Sequence, residues 1–243
     1  MRDVARDDRR AGSRTEMNKI RLGFFSFTEI TDPNEHHSYN EWHQLDHMPE
    51  QYPLDGIAFG QRWVSTPACR AARAVSEAPL DPIHYMTLYL MTEPVDRTLR
   101  EFMQLGRDLH DVGRFHLHRR ARLSGPFPFR GSAVAPRVLI SPEAVPYRPN
   151  LGVYVEVEEI GGAVDPRAHL DALCSTPGVA GAWSFADDER RVIVTWLDGP
   201  PLELCEPLAP IVARRRAESP GRTVFAGPLE TITPWQWNWF DAG

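Results

Sequence analysis

The run Tyr39-Asn40-Glu41-Trp42-His43-Gln44-Leu45-Asp46-His47-Met48-Pro49-Glu50 brings two imidazoles and a carboxylate close together. At about 100° per residue, a helix over it puts Tyr39, Asn40, His43, His47 and Glu50 on one face and Trp42, Leu45 and Met48 on much of the other. Histidine exchanges a proton near neutral pH, and a glutamate one turn away can orient or polarise it, which suits general acid-base catalysis. His43, His47 and Glu50 are therefore the candidate catalytic residues. The alternative for the same residues is a solvated helix end, where a protonated histidine sits well against the helix dipole.

Histidines four apart can also grip one divalent ion. The protease pattern HExxH is not met, because Gln44 and Asp46 occupy its inner positions, and a third ligand would have to be Glu50 or His84. No metal is assigned on this spacing. Asn40 and Tyr39 are candidate substrate-binding residues on the same face. Trp63 and Tyr85 join them, since buried indoles and phenols carry a polar handle that finds a partner; Tyr85 and Tyr89 share a strand face, while Arg62 and Trp63 lie on opposite ones. His116, His118 and Arg120 alternate along an expected strand and form either a carboxylate-binding row or a polar edge.

The elements that must carry these residues repeat in order. Strand 20–28, helix 38–51, strands 57–64 and 83–91, helix 96–112 and strand 116–123 make a βαββαβ unit. Strand 151–158, helix 166–173, strands 179–185 and 191–197, helix 202–217 and strand 223–226 make another. In each unit a glycine ends the first helix, at Gly56 and Gly178, and Gly-Pro closes the last strand, at Gly125-Pro126 and Gly227-Pro228. The expected organisation is a tail over 1–17, a first, pocket-bearing repeat over 18–130, a proline-rich linker over 131–149 and a second repeat over 150–243. A βαββαβ sheet leaves one face bare, so two such sheets in one chain are expected to close on each other as a single pseudo-dimeric α/β barrel of α+β class. The second unit has only His169 in its first helix, so the hollow is expected beside the first unit's residues. Pro234-Trp235-Gln236-Trp237-Asn238-Trp239-Phe240, if extended, places three indoles on one side to cover an edge or a subunit contact.

The segment SYNEWHQLDHMPEQYPLDGIAFGQRW, with its step His47-Met48-Pro49-Glu50, resembles the helix-to-strand segment of dimeric α/β-barrel (ferredoxin-like) proteins. It is closest to the EthD-like and muconolactone-isomerase-like branches, and the resemblance covers about 25 residues. It implies two fused copies sharing one barrel. The family's activities include isomerases, monooxygenases, heme enzymes and proteins without known activity, so fold alone does not give function. Heme-using members bind iron through a histidine on the second helix, which places His110 as a candidate ligand or substrate contact.

Net charge of −6, with no basic run beyond Arg214-Arg215-Arg216, argues against nucleic acid. No segment reaches the roughly 20 apolar residues of a membrane-spanning helix, and three scattered cysteines give neither a disulfide framework nor a zinc site. The reading is a cytoplasmic monomer or homodimer acting on an apolar or aromatic metabolite as an isomerase, cyclase or lyase without a cofactor. A heme- or metal-dependent oxidoreductase and a noncatalytic ligand-binding or scaffold protein are the alternatives.

Overall fold

Period-two alternation puts bulky apolar side chains on one face of almost every strand, and the fold follows from the need to bury that face. The computed structural model describes residues 18–241; the expected tail over 1–17 lies outside them. In chain order the strands are β1 (Ile20–Ile30), β2 (Ile57–Val64), β3 (Val75–Ser76), β4 (Tyr85–Thr92), β5 (Arg119–Val134), β6 (Gly152–Glu159), β7 (Val179–Ala186), β8 (Arg190–Leu197) and β9 (Arg222–Thr231). The helices are α1 (His36–Trp42), α2 (Pro67–Ala71), α3 (Val95–Asp111), α4 (Arg167–Cys174) and α5 (Cys205–Glu218). One antiparallel sheet runs in the order β2-β4-β1-β5-β7-β8-β6-β9, and β9 pairs back onto β2 at Trp63–Thr231 and Val64–Glu230, closing a ring. Each half has the ferredoxin-like order, and the short β3 adds to β9. The class is α+β, as expected.

The inside of the ring is solid. Phe25, Phe27, Trp63, Met86, Leu88 and Phe127 from the first half meet Val155, Trp183, Phe185, Val194, Trp196 and Phe225 from the second, all essentially without solvent exposure. The Phe25 ring lies 5.2 Å from Phe185 and 5.7 Å from Phe127, both edge-on. Each aromatic removes roughly 150–250 Å² from water, so the shared interior is the main store of stability. The hollow expected there is absent among the described residues, because these rings fill it.

The outer faces of the two halves differ. In the second, α4 and α5 lay Leu170, Leu173, Leu208 and Val212 onto Tyr154, Ala182 and Ile193. Buried charges fill the rest. Glu158 accepts from Arg215 at 2.8 and 2.9 Å and from Arg191 at 3.2 Å, and Glu156 lies 2.9 Å from His169. In the first half, α3 lays Phe102 and Leu99 onto Phe24, Tyr89 and Met91, and α1 lays Tyr39 onto Tyr85 and Val64.

Two expectations about strand ends are corrected. β5 and β9 run through Pro126, Pro128 and Pro228 instead of stopping at Gly-Pro. Pro126 and Pro128 pair only with β1, ahead of the β5–β7 ladder that starts at Phe129, and Pro228 falls between the β3 and β2 pairings of β9. A missing donor is tolerated where no neighbour asks for it. The two glycines do not end the helices, which stop at Gln51 and Cys174; Gly56 and Gly178, with φ of +88° and +92°, make the left-handed turns that lead into β2 and β7. The C-terminal run does not hold its indoles on one side. Trp235 is exposed and Trp237 buried, and Phe240 stacks on His36 at 3.9 Å.

Candidate functional site

Pro49 shapes the site. It has no N–H to give and its ring crowds the carbonyl four residues back, so the helix widens just before it. Residues His43–His47 form a π turn, in which the Met48 amide donates to the His43 carbonyl at 2.9 Å, five residues away. Such turns are rare and concentrate at functional sites. The turn keeps His43 and His47 on the same side, with ring centroids 5.2 Å apart, and swings the following residues round.

Beneath the turn, a cavity of about 380 Å³ separates α3 from the outer face of β1, β4 and β5. Phe24, Phe102, Met103 and Phe115 give it apolar walls. Its lining residues carry polar atoms that are buried and have no hydrogen-bond partner among the described residues: His43 Nε2, His47 Nδ1, Gln51 Oε1, Thr87 Oγ1 and Tyr89 Oη. Orphaned buried polar atoms are costly, and so many in one cavity mark a place for a ligand or ordered water.

His43 is held from behind, its Nδ1 3.0 Å from Tyr39 Oη. Burial pushes its pKa well below 6.5, helped by the Arg62 cation, His47 and Arg119. His47 stacks on Trp42 at 4.6 Å, and burial, then Arg119, bring it down to about 4 against the pull of Asp46. Both rings are neutral at pH 7, which corrects the expectation of histidines poised to titrate there. Burial raises the pKa of Tyr89, so its phenol stays a donor.

Behind this layer lies a second one. Asn40 Nδ2 donates to the His36 carbonyl at 2.7 Å and to Tyr85 Oη at 2.8 Å, and its Oδ1 accepts from Arg62 Nη2 at 2.8 Å. Tyr85 Oη also lies 2.9 Å from His36 Nδ1. Tyr39, Asn40 and Tyr85 thus support the cavity from behind and are not among its lining residues.

Two expected positions are elsewhere, and a third lies only at the rim. Glu50, turned out by the π turn and Pro49, pairs with Arg114 at 2.7 Å, as does Asp46. Trp63 points into the ring interior and donates to Asn150 Oδ1 at 3.1 Å; alternation along β2 sends Arg62, not Trp63, toward the helix layer. His110 sits at the cavity mouth with its side chain 74% exposed and Nδ1 3.5 Å from Asp111. The row His116, His118, Arg120 does not form, because β5 starts only at Arg119. His116 instead turns to Ser38, 3.0 Å away, and Arg119 enters the cavity wall, its guanidinium 4.6 Å over Phe115 and 5.6 Å over Trp42.

The metal alternative finds no set of ligands: among the described residues no three His, Cys, Asp or Glu side chains gather suitably. The two proposed third ligands are engaged, Glu50 by Arg114 and His84 by the Ile30 amide, which donates to its Nδ1 at 3.1 Å. Gln51, Arg62, Thr87 and Arg119 escaped the sequence reading. Thr87 has a signal, lying two residues from both Tyr85 and Tyr89 on an alternating strand, and Arg62 has one as the neighbour of Trp63 on the opposite face.

No family model and no curated protein matches the chain. Among solved structures, a protein proposed to be a chlorite dismutase superposes with TM-score 0.52 at 9% identity, covering 88% of this chain and 96% of that one. A protein from Fusobacterium nucleatum proposed to be a monooxygenase gives 0.49 at 7% identity, covering 89% and 94%. An anthrone oxidase-like protein gives 0.48 at 12%, covering 89% and 93%. At such identities the likeness is one of fold. Among the described residues no helix is long and apolar enough to cross a membrane.

Proposed function

We propose that the chain is a small-molecule enzyme that moves a proton on an apolar or aromatic metabolite held under the π turn, with His43 as the proton-transferring group. The observation that carries this reading is His43 itself: it lines the cavity, one ring nitrogen held by Tyr39 and the other buried without a partner among the described residues. With Nδ1–H donated to Tyr39, Nε2 keeps its lone pair. A carbon acid placed there gives its proton to Nε2 while the electron pair moves to the neighbouring carbonyl oxygen. Tyr89 and Thr87 hydroxyls serve as donors to that oxygen. Return of the proton at another atom completes an isomerisation or sets up a cyclisation or elimination. Because the imidazolium is disfavoured by burial and nearby guanidiniums, it forms only as the enolate forms beside it, which couples the two events.

The same reading takes the chain as a fused pair within the EthD-like and muconolactone-isomerase-like branch, supported by the His47-Met48-Pro49-Glu50 step and by the twofold order of elements. The test is proton exchange. Phenylpyruvate and 2-tetralone in deuterium oxide are followed by NMR with the protein and with His43→Gln. Enzyme-dependent loss of the α-proton signal that His43→Gln abolishes supports the reading; the same rate in the variant overturns it.

The heme alternative would use His110, and the solved structure described as a chlorite dismutase shares the fold. The residues here do not fit that group well. The His110 ring is solvent-exposed, its Nδ1 is at 3.5 Å from the neighbouring Asp111, a separation too long to orient it, and an axial ligand needs orientation. No step is assigned to heme; a Soret band that depends on His110 after hemin titration would reinstate it. The noncatalytic alternative calls for a cavity filled by its own side chains and histidines in water, and His43 and His47 instead border an open cavity.

A further inference from the structure

The charges around the cavity are unbalanced. Arg62 is 3% exposed, and its hydrogen bond partner is the neutral Asn40 Oδ1; Nε and Nη1 are buried without partners among the described residues. Its guanidinium lies 5.3 and 5.7 Å over the rings of Tyr39 and Tyr85. On the sheet it is the cross-strand neighbour of Thr87, which lines the cavity. Arg119, partly buried in the cavity wall against Phe115 and Trp42, makes no ion pair among the described residues. The one carboxylate among the described lining residues is Asp111, exposed at the mouth.

Guanidinium groups remain protonated in proteins, and a buried cation without a counter-charge is strongly unfavourable. The second half shows what this chain does when the charges are structural: Arg215 and Arg191 both meet Glu158. In the first half the corresponding anion is not supplied by the described residues. Faces of aromatic rings stabilise a guanidinium only in part, and they also offer a flat surface beside it.

We infer that the cavity takes a planar aromatic anion, with an oxygen-borne charge such as a carboxylate or phenolate set against Arg119 and its ring stacked among Phe24, Phe102 and Phe115. This rests on the cavity being the ligand site proposed above and adds the charge of the ligand. About 380 Å³ lies within the range of small-molecule sites and suits one or two fused rings. Arg62, one layer back, raises the local positive potential without touching the ligand. An anion at this position also relieves the penalty on a charged His43.

The test uses 2-naphthoate and its neutral isostere 2-naphthamide, with binding measured by calorimetry. The expected result is a preference for 2-naphthoate of about tenfold or more, the scale of a hydrogen-bonded charge. Arg119→Gln should shrink that preference to about twofold with little change for 2-naphthamide, and Arg119→Lys should keep much of it. Equal affinities for the two probes, no saturable binding of either, or an undiminished preference in a folded Arg119→Gln protein overturns the inference. His43→Gln separates the two readings: if it loses proton exchange yet keeps the 2-naphthoate preference, the anion site stands whatever the reaction is. If exchange is absent from the start and the preference is present, the catalytic reading fails and this one does not.

Discussion

Tyr39 Oη lies 3.0 Å from His43 Nδ1, one helical turn away, and both side chains are out of water. The hydroxyl therefore fixes the plane of the imidazole of a cavity-lining residue and leaves Nε2 without a partner among the described residues. Tyr39→Phe removes this hold without removing the ring that packs against Tyr85 at 5.0 Å. Exchange should slow by about tenfold or more, with a stability loss of about 1 kcal/mol. Kinetics and thermal melts on the same sample check this; an unchanged rate removes Tyr39 from the positioning role.

Acid sensitivity should come from histidines held neutral. Burial lowers the pKa of His36 and His47 to about 4 and of His84 to about 3, and that of His43 well below 6.5. The unfolded chain binds protons at these sites from about pH 6.5 downward while the folded chain does not. Their contribution is thus fully present above about pH 6.5 and is lost as pH falls toward 4 and 3. Urea melts at stepped pH should show stability falling over that window. His47→Gln should flatten the slope, and a pH-independent midpoint between 6.5 and 4 would contradict the assignment.

The second half is expected to act as scaffold. Glu158→Gln takes away the carboxylate that both Arg215 and Arg191 pair with in a buried site, and should destabilise the fold by about 3 kcal/mol or more. Where the variant folds, its exchange rate should match that of the parent. A loss of activity without a loss of stability would place function in this half.

The C-terminal aromatics should matter to the first half. Trp237 is buried beside Tyr39 and Tyr85 in one apolar cluster, and Phe240 stacks on His36. Trp237→Ala should cost about 3 kcal/mol, measured by denaturant titration. A loss below about 0.5 kcal/mol, the scale of an ordinary surface change, would show that this segment lies free in solution.

Much of the architecture was readable from the sequence because alternation and turn glycines are local signals. The strands containing Phe25, Phe185 and Val194 and the glycine at position 56 sit where periodicity and turn chemistry put them. What alternation does not give is which face looks inward. Alternation separates Trp63 and Arg62 to opposite faces, but the indole, expected as a ligand contact, belongs to the core, and the guanidinium belongs to the helix layer. The location of the cavity had the same difficulty: a bare sheet face suggests a shared hollow, and only the volumes of Phe25, Phe127, Phe185 and Trp196 reveal that it is filled. Glu50 was placed by an even 100° step, and the π turn forced ahead of Pro49 breaks that step. His43 and His47, the first and last residues of that turn, keep their rings together.

The most direct test of the central claim follows the histidine ring nitrogens by NMR in protein labelled with ¹⁵N-histidine, as phenylpyruvate is added to saturation. His43 and His47 should shift together, while His169, already 2.9 Å from Glu156 in the corresponding helix of the second half, should stay in place. Saturation that leaves His43 and His47 unmoved, or that moves His169 instead, would contradict a ligand site under the π turn.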